Sequence, residues 1–287
     1  MDFLQGFLGL GGYMDYLANM PQQIMERMWF DWNNIDVFFA WIVGYITGYL
    51  LYTYAGKVAK EQGVQPYPLW IHCYMFSIDL IGTITFWYLF FTNDCYWFFA
   101  VQGIALPLWL IMEAKSIYDG VHNEEERNFE FGRQVRGGKV TEKQAWFYCI
   151  GIFVFGFFMN MYALSMLGGF DNAAIWIIYP FTNYVYAVFT WRFWDARSAQ
   201  FGNRKHNAVG LQVVITITCF VSWCPGLNWF WAVSPFFHEP WFIISGIVMA
   251  CISGYNLYRC IKLPPYVPGD EEKVAEGLPV GEKQVQA

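Results

Sequence analysis

Charged residues are scarce in this chain of 287 residues: Asp, Glu, Lys and Arg make up 14% of it, against about 25% in soluble domains. Apolar residues make up 56% and aromatic residues 22%. A surface with so little charge is not mainly in contact with water, so the sequence predicts a protein embedded in a lipid bilayer. The net charge of −6 argues against nucleic acid as a partner, because its binding demands clustered Lys and Arg.

The residue spacings that bind metals are also missing. The seven cysteines form no CxxC pair and no Cys/His arrangement suited to zinc, and we predict neither a metal nor a cofactor. Cys95 and Cys224 fall at predicted helix ends on one side of the membrane, where a disulfide between them is left open. The first ten residues lack the basic start and long apolar stretch of a cleavable signal peptide. We therefore expect the first hydrophobic span to direct insertion.

Long apolar runs are the main positive feature of the sequence. A membrane helix needs about 20 apolar residues to cross the hydrocarbon core. Seven predicted spans cover residues 35–54, 68–91, 96–112, 145–167, 172–193, 209–223 and 240–261. The predicted fold class is all-α, a polytopic bundle of seven transmembrane helices. Gly44 and Gly48, spaced as GxxxG, predict a close helix contact in the first span.

Two flanking segments complete the predicted organisation. Residues 1–34 alternate apolar and polar groups in helical fashion and are broken by glycines and Pro21, which predicts short helices in the membrane interface. Residues 35–263 form the seven-helix domain. Residues 264–287 are polar and rich in Pro and Gly, which predicts a disordered cytosolic tail.

The distribution of Lys and Arg predicts the orientation. With seven spans, 16 of the 17 basic residues fall on one face, and only Arg27 falls on the other. Because basic residues are retained in the cytosol, the amino terminus is predicted to be outside or lumenal and the carboxyl terminus cytosolic. In a eukaryotic cell the endoplasmic reticulum membrane is the expected location.

Asp79 is the one carboxylate deep within a predicted span. It lies 11 residues from the start of the second span, about 16 Å into the membrane. Acids at this depth are usually functional, and desolvation favours their neutral, protonated form. His72 precedes Asp79 by two helical turns and is expected on the same helix face. Glu113, at the inner end of the third span, is expected to reach the membrane surface.

Counting depth along each predicted span places further polar residues near the level of Asp79. Asn183 and Thr182 lie in the fifth span, Thr216 and Thr218 in the sixth, and Ser253 and Asn256 in the seventh. Gln102 and Asn160 lie nearer the outer face. Together with deep aromatic residues these groups outline a polar spot in an aromatic bundle, which is typical of a site for a lipophilic ligand.

The first two spans resemble a known family. Residues 38–84 read FFAWIVGYITGYLLYTYAGKVAKEQGVQPYPLWIHCYMFSIDLIGTI. This run is similar to the fungal meroterpenoid-type transmembrane terpene cyclases, in which such a helix leads into Pro-Leu, a cysteine and an acid followed by a glycine. The number of spans and the ending of the last one in Tyr, Arg and Lys are also similar. The second acid of the family, in the last helix, has no counterpart here, and Ser253 and Asn256 lie near its place.

The resemblance implies an enzyme of secondary metabolism that cyclises a prenylated, lipophilic substrate after protonating its epoxide or alkene. On this reading Asp79 is the acid, and Asn256 or Ser253 accepts the final proton. The expected substrate-binding residues are His72, Thr83, Trp87, Gln102, Asn160, Tyr179 and Asn183.

Three other classes of membrane protein are alternatives. A seven-helix receptor shares the predicted topology, but the third span ends in MEAKSIY and the seventh has no Asn-Pro-x-x-Tyr. The anchor subunit of a redox complex is possible only without haem b, which needs paired histidines inside the membrane. A transporter is disfavoured because no inverted repeat is visible. The substrate, the source organism and the oligomeric state are not readable from the sequence.

Overall fold

The computed structural model describes residues 19–29, 31–166, 168–172 and 175–269. These residues form helices and no strands, so the predicted all-α class is confirmed. We number the α-helices in chain order: α1 Met20–Arg27, α2 Ile35–Gln62, α3 Leu69–Thr92, α4 Trp97–His122, α5 Glu124–Phe131, α6 Glu142–Met166, α7 Ile175–Phe201, α8 Val209–Val221, α9 Trp229–Val233 and α10 Pro240–Lys262. Short 3-10 helices cover Trp32–Asn34, Gly132–Gln134, Gly169–Asn172 and Pro235–His238.

Five helices are long and apolar enough to cross a membrane, and they identify a membrane protein. They are Trp32–Gln62, Leu69–Thr92, Trp97–His122, Glu142–Met166 and Pro240–Lys262. Large apolar side chains on their outer faces, such as Phe39, Ile46, Phe147 and Phe158, are exposed. Apolar surface of this extent is unfavourable in water and suits contact with lipid.

The remaining two of the seven predicted spans fall on helices that are not among these five. The span 172–193 falls on α7, and the span 209–223 falls on α8. α8 is apolar but has only 13 residues. At 1.5 Å per residue it is about 20 Å long, less than the hydrocarbon core of about 30 Å.

The third predicted span was too short. α4 continues beyond residue 112 to His122, because its charged residues Glu113, Lys115 and Asp119 end the apolar run without ending the helix. Asn123 ends α4 and begins α5, where its side-chain oxygen accepts hydrogen bonds from the backbone N–H of Glu125 and Glu126.

The predicted interfacial segment is described only from Asn19, and residues 1–18 lie outside the described part of the chain. Within it, α1 buries Met20, Ile24 and Met28 against a core cluster shared with α2, α4 and α9. The hydroxyl of Tyr96 donates a hydrogen bond to the carbonyl of Met28 at 2.6 Å. At the other end of the chain, residues 264–269 of the predicted tail form no helix, and residues 270–287 lie outside the described part.

α3 holds the bundle together and brings the site residues into place. It packs most extensively against α4 and then against α6, while α8 packs against α2 and α10. Asn160 of α6 donates hydrogen bonds to the Ser77 hydroxyl of α3 at 3.3 Å and to the Gly156 carbonyl at 2.8 Å. Because polar side chains in a bundle have few partners, contacts of this kind fix which face of each helix points inward.

Charged residues gather at the end of the bundle that carries α5. The carboxylate of Glu125 pairs with Arg197 Nη1 at 3.2 Å and with Lys205 Nζ at 2.8 Å. Burial alone would raise the pKa of Glu125, but hydrogen bonds from His206 and Lys205 and the nearby positive charges lower it to about 2. This cluster ties α5 to α7 and to the loop that follows α7.

Replacing Asn123 should loosen the connection between α4 and α5. Its side chain caps α5 and also donates a hydrogen bond to the Gly63 carbonyl at 2.8 Å. We expect Asn123→Ala to lower the free energy of unfolding in detergent by about 1–3 kcal/mol. Asn123→Asp keeps the capping oxygen and loses only the amide donor, so it should lose less than half as much. Equal losses in the two variants would argue against the cap.

Candidate functional site

A cavity of about 110 Å³ lies beside Asp79, between α2, α3, α4, α7, α8 and α9. Its lining is mostly apolar and aromatic, with a few polar groups. The lining residues are Gly44, Tyr45, Thr47, Gly48, Leu51, Tyr52, Met75, Asp79, Gln102, Leu106, Trp109, Tyr179, Thr182, Asn183, Tyr186, Thr218, Val221, Ser222, Asn228, Trp229 and Phe230. We call it the Asp79 cavity. A space of this size accepts a single small ring or a similar part of a longer ligand.

Asp79 is buried in α3, with 5% of its surface exposed. The described residues give its carboxyl group no hydrogen bond and no ion pair. Among the described residues, the only side-chain hydrogen bond to Asp79 runs from the Thr83 hydroxyl to its backbone carbonyl, at 2.7 Å. Because a buried polar group without a partner is costly, the carboxyl group of Asp79 is available to a ligand in the cavity.

Aromatic rings form one wall of the Asp79 cavity. The indole of Trp109 stacks on Tyr45, with ring centroids 5.8 Å apart, and on Tyr52, with centroids 6.3 Å apart. Gly48 makes room for this indole, since a Cβ atom there would lie 3.3 Å from Trp109 Cζ2. Gly44 faces Trp229 in the same way at 3.7 Å. Each glycine of the predicted GxxxG pair therefore lies against an indole ring, Gly48 against Trp109 and Gly44 against Trp229.

Four buried polar atoms of the lining residues have no partner among the described residues: Gln102 Nε2, Trp109 Nε1, Asn228 Nδ2 and the Tyr179 hydroxyl. The other end of the Gln102 amide accepts a hydrogen bond from the Tyr45 hydroxyl. The Tyr179 ring lies against Gly82, where a Cβ atom would collide with its hydroxyl. Because an unpaired buried donor is costly, these four groups are suited to hydrogen-bond a ligand.

The opposite wall carries polar groups that already have partners. Asn183 Nδ2 donates to the Ser222 hydroxyl at 2.6 Å, and Ser222 donates to the Thr218 carbonyl at 2.7 Å. The sequence placed Asn183 and Thr218 near the depth of Asp79, and the structure brings both to the cavity, together with Gln102 and Tyr179.

Glu113 does not reach the surface, so the expectation of an interfacial charge was wrong. It is fully buried, and Oε2 is hydrogen-bonded to His72 Nδ1. Its other oxygen, Oε1, accepts hydrogen bonds from Tyr52 at 2.5 Å and Tyr186 at 3.0 Å. Side chains of α2, α3 and α7 thus provide hydrogen bonds for this buried acid of α4.

The predicted proton acceptors lie away from the Asp79 cavity. Asn256 Nδ2 donates to the Ala187 carbonyl at 2.8 Å, which joins α10 to α7, and its side chain faces a small separate pocket. The Ser253 hydroxyl is fully buried and donates to the Ala250 carbonyl of its own helix at 3.0 Å. Both side chains are thus turned toward partners other than the Asp79 cavity.

Four expected substrate-binding residues are also not part of the cavity lining. Thr83 bonds back to its own helix, and Trp87 Nε1 donates to the Gly103 carbonyl at 3.1 Å. Asn160 ties α6 to α3, as described above. His72 pairs with Glu113 and lines a second cavity, on the α5 side of the bundle.

Tyr45, Tyr52, Trp109, Glu113 and Tyr186 belong to the site or its border and were not predicted. One signal was available for α2, because Tyr45 and Tyr52 are seven residues apart and share a helix face with Tyr49. For Glu113 the signal was the presence of a histidine at similar depth in the preceding span. An acid and an imidazole on neighbouring helices commonly pair when buried.

The described residues contain no group of three or more His, Cys, Asp or Glu side chains placed to hold a metal ion. Cys95 and Cys224 are both free, so the disulfide left open by the sequence is not formed between them.

Comparison of the chain with protein-family models, with curated proteins and with solved structures gives no match. The chemistry of the Asp79 cavity is therefore the basis for proposing a function.

Adding a methyl group at Gly82 should disturb the cavity without touching Asp79. The new Cβ atom would collide with the Tyr179 hydroxyl and would lie 2.9 Å from Leu106 Cδ1. We expect Gly82→Ala to lower the free energy of unfolding by about 1–3 kcal/mol. Adding Tyr179→Phe removes the colliding hydroxyl and should recover part of this loss in a double-mutant cycle measured by thermal unfolding. Strictly additive effects would contradict the contact.

Proposed function

We propose that the protein is a membrane-embedded enzyme of the terpene cyclase type, which protonates an epoxide or alkene of a prenylated, lipophilic substrate and so starts its cyclisation. Asp79 is the proton donor. The observation that carries this proposal is that the carboxyl group of Asp79, without a partner among the described residues, lines an aromatic cavity inside an apolar helix bundle. The resemblance of residues 38–84 to the fungal meroterpenoid-type cyclases supports it.

The first step moves one proton. Asp79 gives its proton to the epoxide oxygen, whose C–O bond opens, or to a terminal alkene carbon, and a carbocation forms while Asp79 becomes a carboxylate. The π electrons of successive alkenes then form the new C–C bonds as the positive charge moves along the chain. The faces of Tyr45, Tyr52, Trp109 and Trp229 stabilise this charge by about 0.5–2 kcal/mol each.

The last step removes one proton from carbon. Ser253 and Asn256 are too far round the bundle to take it, whereas Asn183 lines the cavity. A water molecule held by Asn183 Oδ1 takes the proton and leaves an alkene in the product. Gln102 Nε2 and the Tyr179 hydroxyl orient the polar part of the substrate that reaches the cavity. The substrate and product are isomers, because one proton enters and one leaves.

The proposed enzyme crosses the membrane seven times. The five long apolar helices account for five spans, and α7 and α8 supply the other two. Seven spans place 16 of the 17 basic residues on one face, and this asymmetry supports a cytosolic carboxyl terminus and an outer or lumenal amino terminus, in the endoplasmic reticulum membrane of a eukaryotic cell.

An odd number of spans places the two termini on opposite sides of the membrane, and labelling of the termini tests this. With a self-labelling tag fused at either end, a membrane-impermeant dye added to sealed microsomes should label only one of the two fusions. Permeabilised membranes, in which both tags must react, are the control. Labelling of both termini from the same side would show an even number of spans.

Turnover depends on the acid of Asp79. We expect the purified protein in lipid nanodiscs to convert at least one prenylated phenol or its terminal epoxide to a cyclic isomer, detected by chromatography and mass spectrometry. Asp79→Asn keeps the size of the side chain but cannot donate an acidic proton, and it should reduce the rate by about 10²–10⁴-fold. Asp36→Asn, at the exposed start of α2, is the matched control and should retain full rate. Unchanged turnover in Asp79→Asn would show that Asp79 is not the proton donor.

A ligand-binding membrane protein, such as a seven-helix receptor, is the second candidate. The unpaired donors of the cavity, among them Gln102 Nε2 and the Tyr179 hydroxyl, favour it, because they suit the carbonyl group of a bound ligand without any reaction. Binding of a prenylated phenol without conversion, and equal affinity in Asp79→Asn, would support this candidate over the enzyme.

A further inference from the structure

A second and larger cavity, of about 590 Å³, lies on the α5 side of the Asp79 cavity. Its polar lining includes Lys60, Gln65, His72, Lys115, Asp119 and Glu126. Lys115 is exposed and pairs with Asp119, which places the mouth of this cavity at the surface of the bundle. Water reaches such a polar cleft readily, whereas the Asp79 cavity is lined mostly by aromatic and aliphatic groups.

A buried chain of hydrogen-bonding groups separates the two cavities. His72 is 2% exposed, and its Nε2 atom has no partner in the described structure although the residue lines the second cavity. Its Nδ1 atom is hydrogen-bonded to Glu113 Oε2. Glu113 Oε1 accepts from Tyr52 and Tyr186, whose hydroxyls are 3.2 Å apart. Tyr52 lines both cavities, and Tyr186 lines the Asp79 cavity.

We propose that His72 and Glu113 form a proton relay that recharges Asp79 from the second cavity after each turnover. This inference rests on the proposed function, in which Asp79 gives up a proton that leaves the site at a different group. The relay residues position groups and transfer protons. Of these residues, only Tyr52 and Tyr186, at the wall of the Asp79 cavity, are placed against the substrate.

The proton balance of the relay is closed. Water in the second cavity adds a proton to His72 Nε2, and the ring passes its Nδ1 proton to Glu113 Oε2. The proton on Glu113 passes to the hydroxyl of Tyr52 or Tyr186, which releases its own proton to a water molecule in the Asp79 cavity, and this water passes a proton to the Asp79 carboxylate. A half-turn of the imidazole restores its starting tautomer. One proton leaves the water and one arrives at Asp79.

Three features of the structure support this route. His72 and Asp79 are seven residues apart on α3, about 10 Å along the helix, so a proton cannot pass between them without intermediate groups. The lining of the Asp79 cavity includes no Lys, Arg or His that would serve as a counter-ion for the carboxylate. At the other end, burial raises the pKa of Glu126 to about 7, so the second cavity holds a carboxyl group that exchanges protons near neutral pH.

The test follows the proton itself and does not require a substrate. In proteoliposomes, the infrared band of the protonated Asp79 carboxyl group is identified by its loss in Asp79→Asn. The rate at which this band shifts after transfer to D₂O measures proton access to Asp79. We expect His72→Phe, Glu113→Gln and the double variant Tyr52→Phe/Tyr186→Phe each to slow the exchange about tenfold or more while the band persists. The tyrosine double variant removes both hydroxyls and keeps both rings, so it remains informative should the two variants of the buried pair fail to fold.

Matched controls change the same residue types away from the relay. His122→Phe, Glu61→Gln and Tyr49→Phe alter an exposed histidine, an exposed acid and a neighbouring tyrosine that does not line the Asp79 cavity, and each should exchange at the wild-type rate. Wild-type exchange in the tyrosine double variant and in the folded pair variants would overturn the relay. Slowed exchange in a protein that converts no prenylated substrate would overturn the proposed enzyme and leave the relay standing. A wild-type protein without any protonated Asp79 band would overturn both.

Discussion

The hydrogen bond between His72 and Glu113 is the interaction on which the centre of this bundle depends. It joins α3 to α4, and the hydroxyls of Tyr52 and Tyr186 extend it to α2 and α7. Removing one partner from a buried pair costs about 3–5 kcal/mol, because the other is left without compensation. Four helices are thus held in one register by polar contacts, in a bundle where apolar packing gives little preference for one rotation of a helix over another.

The two buried acids of the site differ because of this arrangement. Glu113 has three polar neighbours and is fully satisfied as an acceptor. Asp79, two turns from His72 on the same helix, faces a cavity, and the described residues offer it no such neighbour. Glu113 is held in a network of hydrogen bonds, whereas the carboxyl group of Asp79 is left available to a ligand. Two carboxyl groups in such different surroundings can take different roles in one site.

Much of the fold followed from the sequence, because runs of apolar residues of membrane length have few alternative structures. Depth along the spans placed Asn183 and Thr218 near the level of Asp79, and both line one cavity with it, together with Gln102 and Tyr179. Depth does not specify rotation, and for this reason Ser253 and Asn256 were assigned to a site that they do not face. Glu113 was misplaced for a related reason, since its position near a predicted helix end says nothing of a histidine on the neighbouring helix. A single sequence predicts the helices, but it does not show which residues of different helices contact each other.

The residues that line the Asp79 cavity determine whether it stabilises a positive or a negative charge. Its lining combines seven aromatic rings with one carboxyl group and no basic side chain. Ring faces attract a positive charge, and a carboxylate formed by proton donation attracts it further, so the cavity favours a cation over an anion at every stage. On the proposed function, the same lack of basic groups makes the carboxylate unstable once the cation has gone, because the lining offers no counter-ion to replace it. Such a site has to recover a proton before it can act again, and in the proposed relay the proton comes from the polar cavity on the far side of His72 and Glu113.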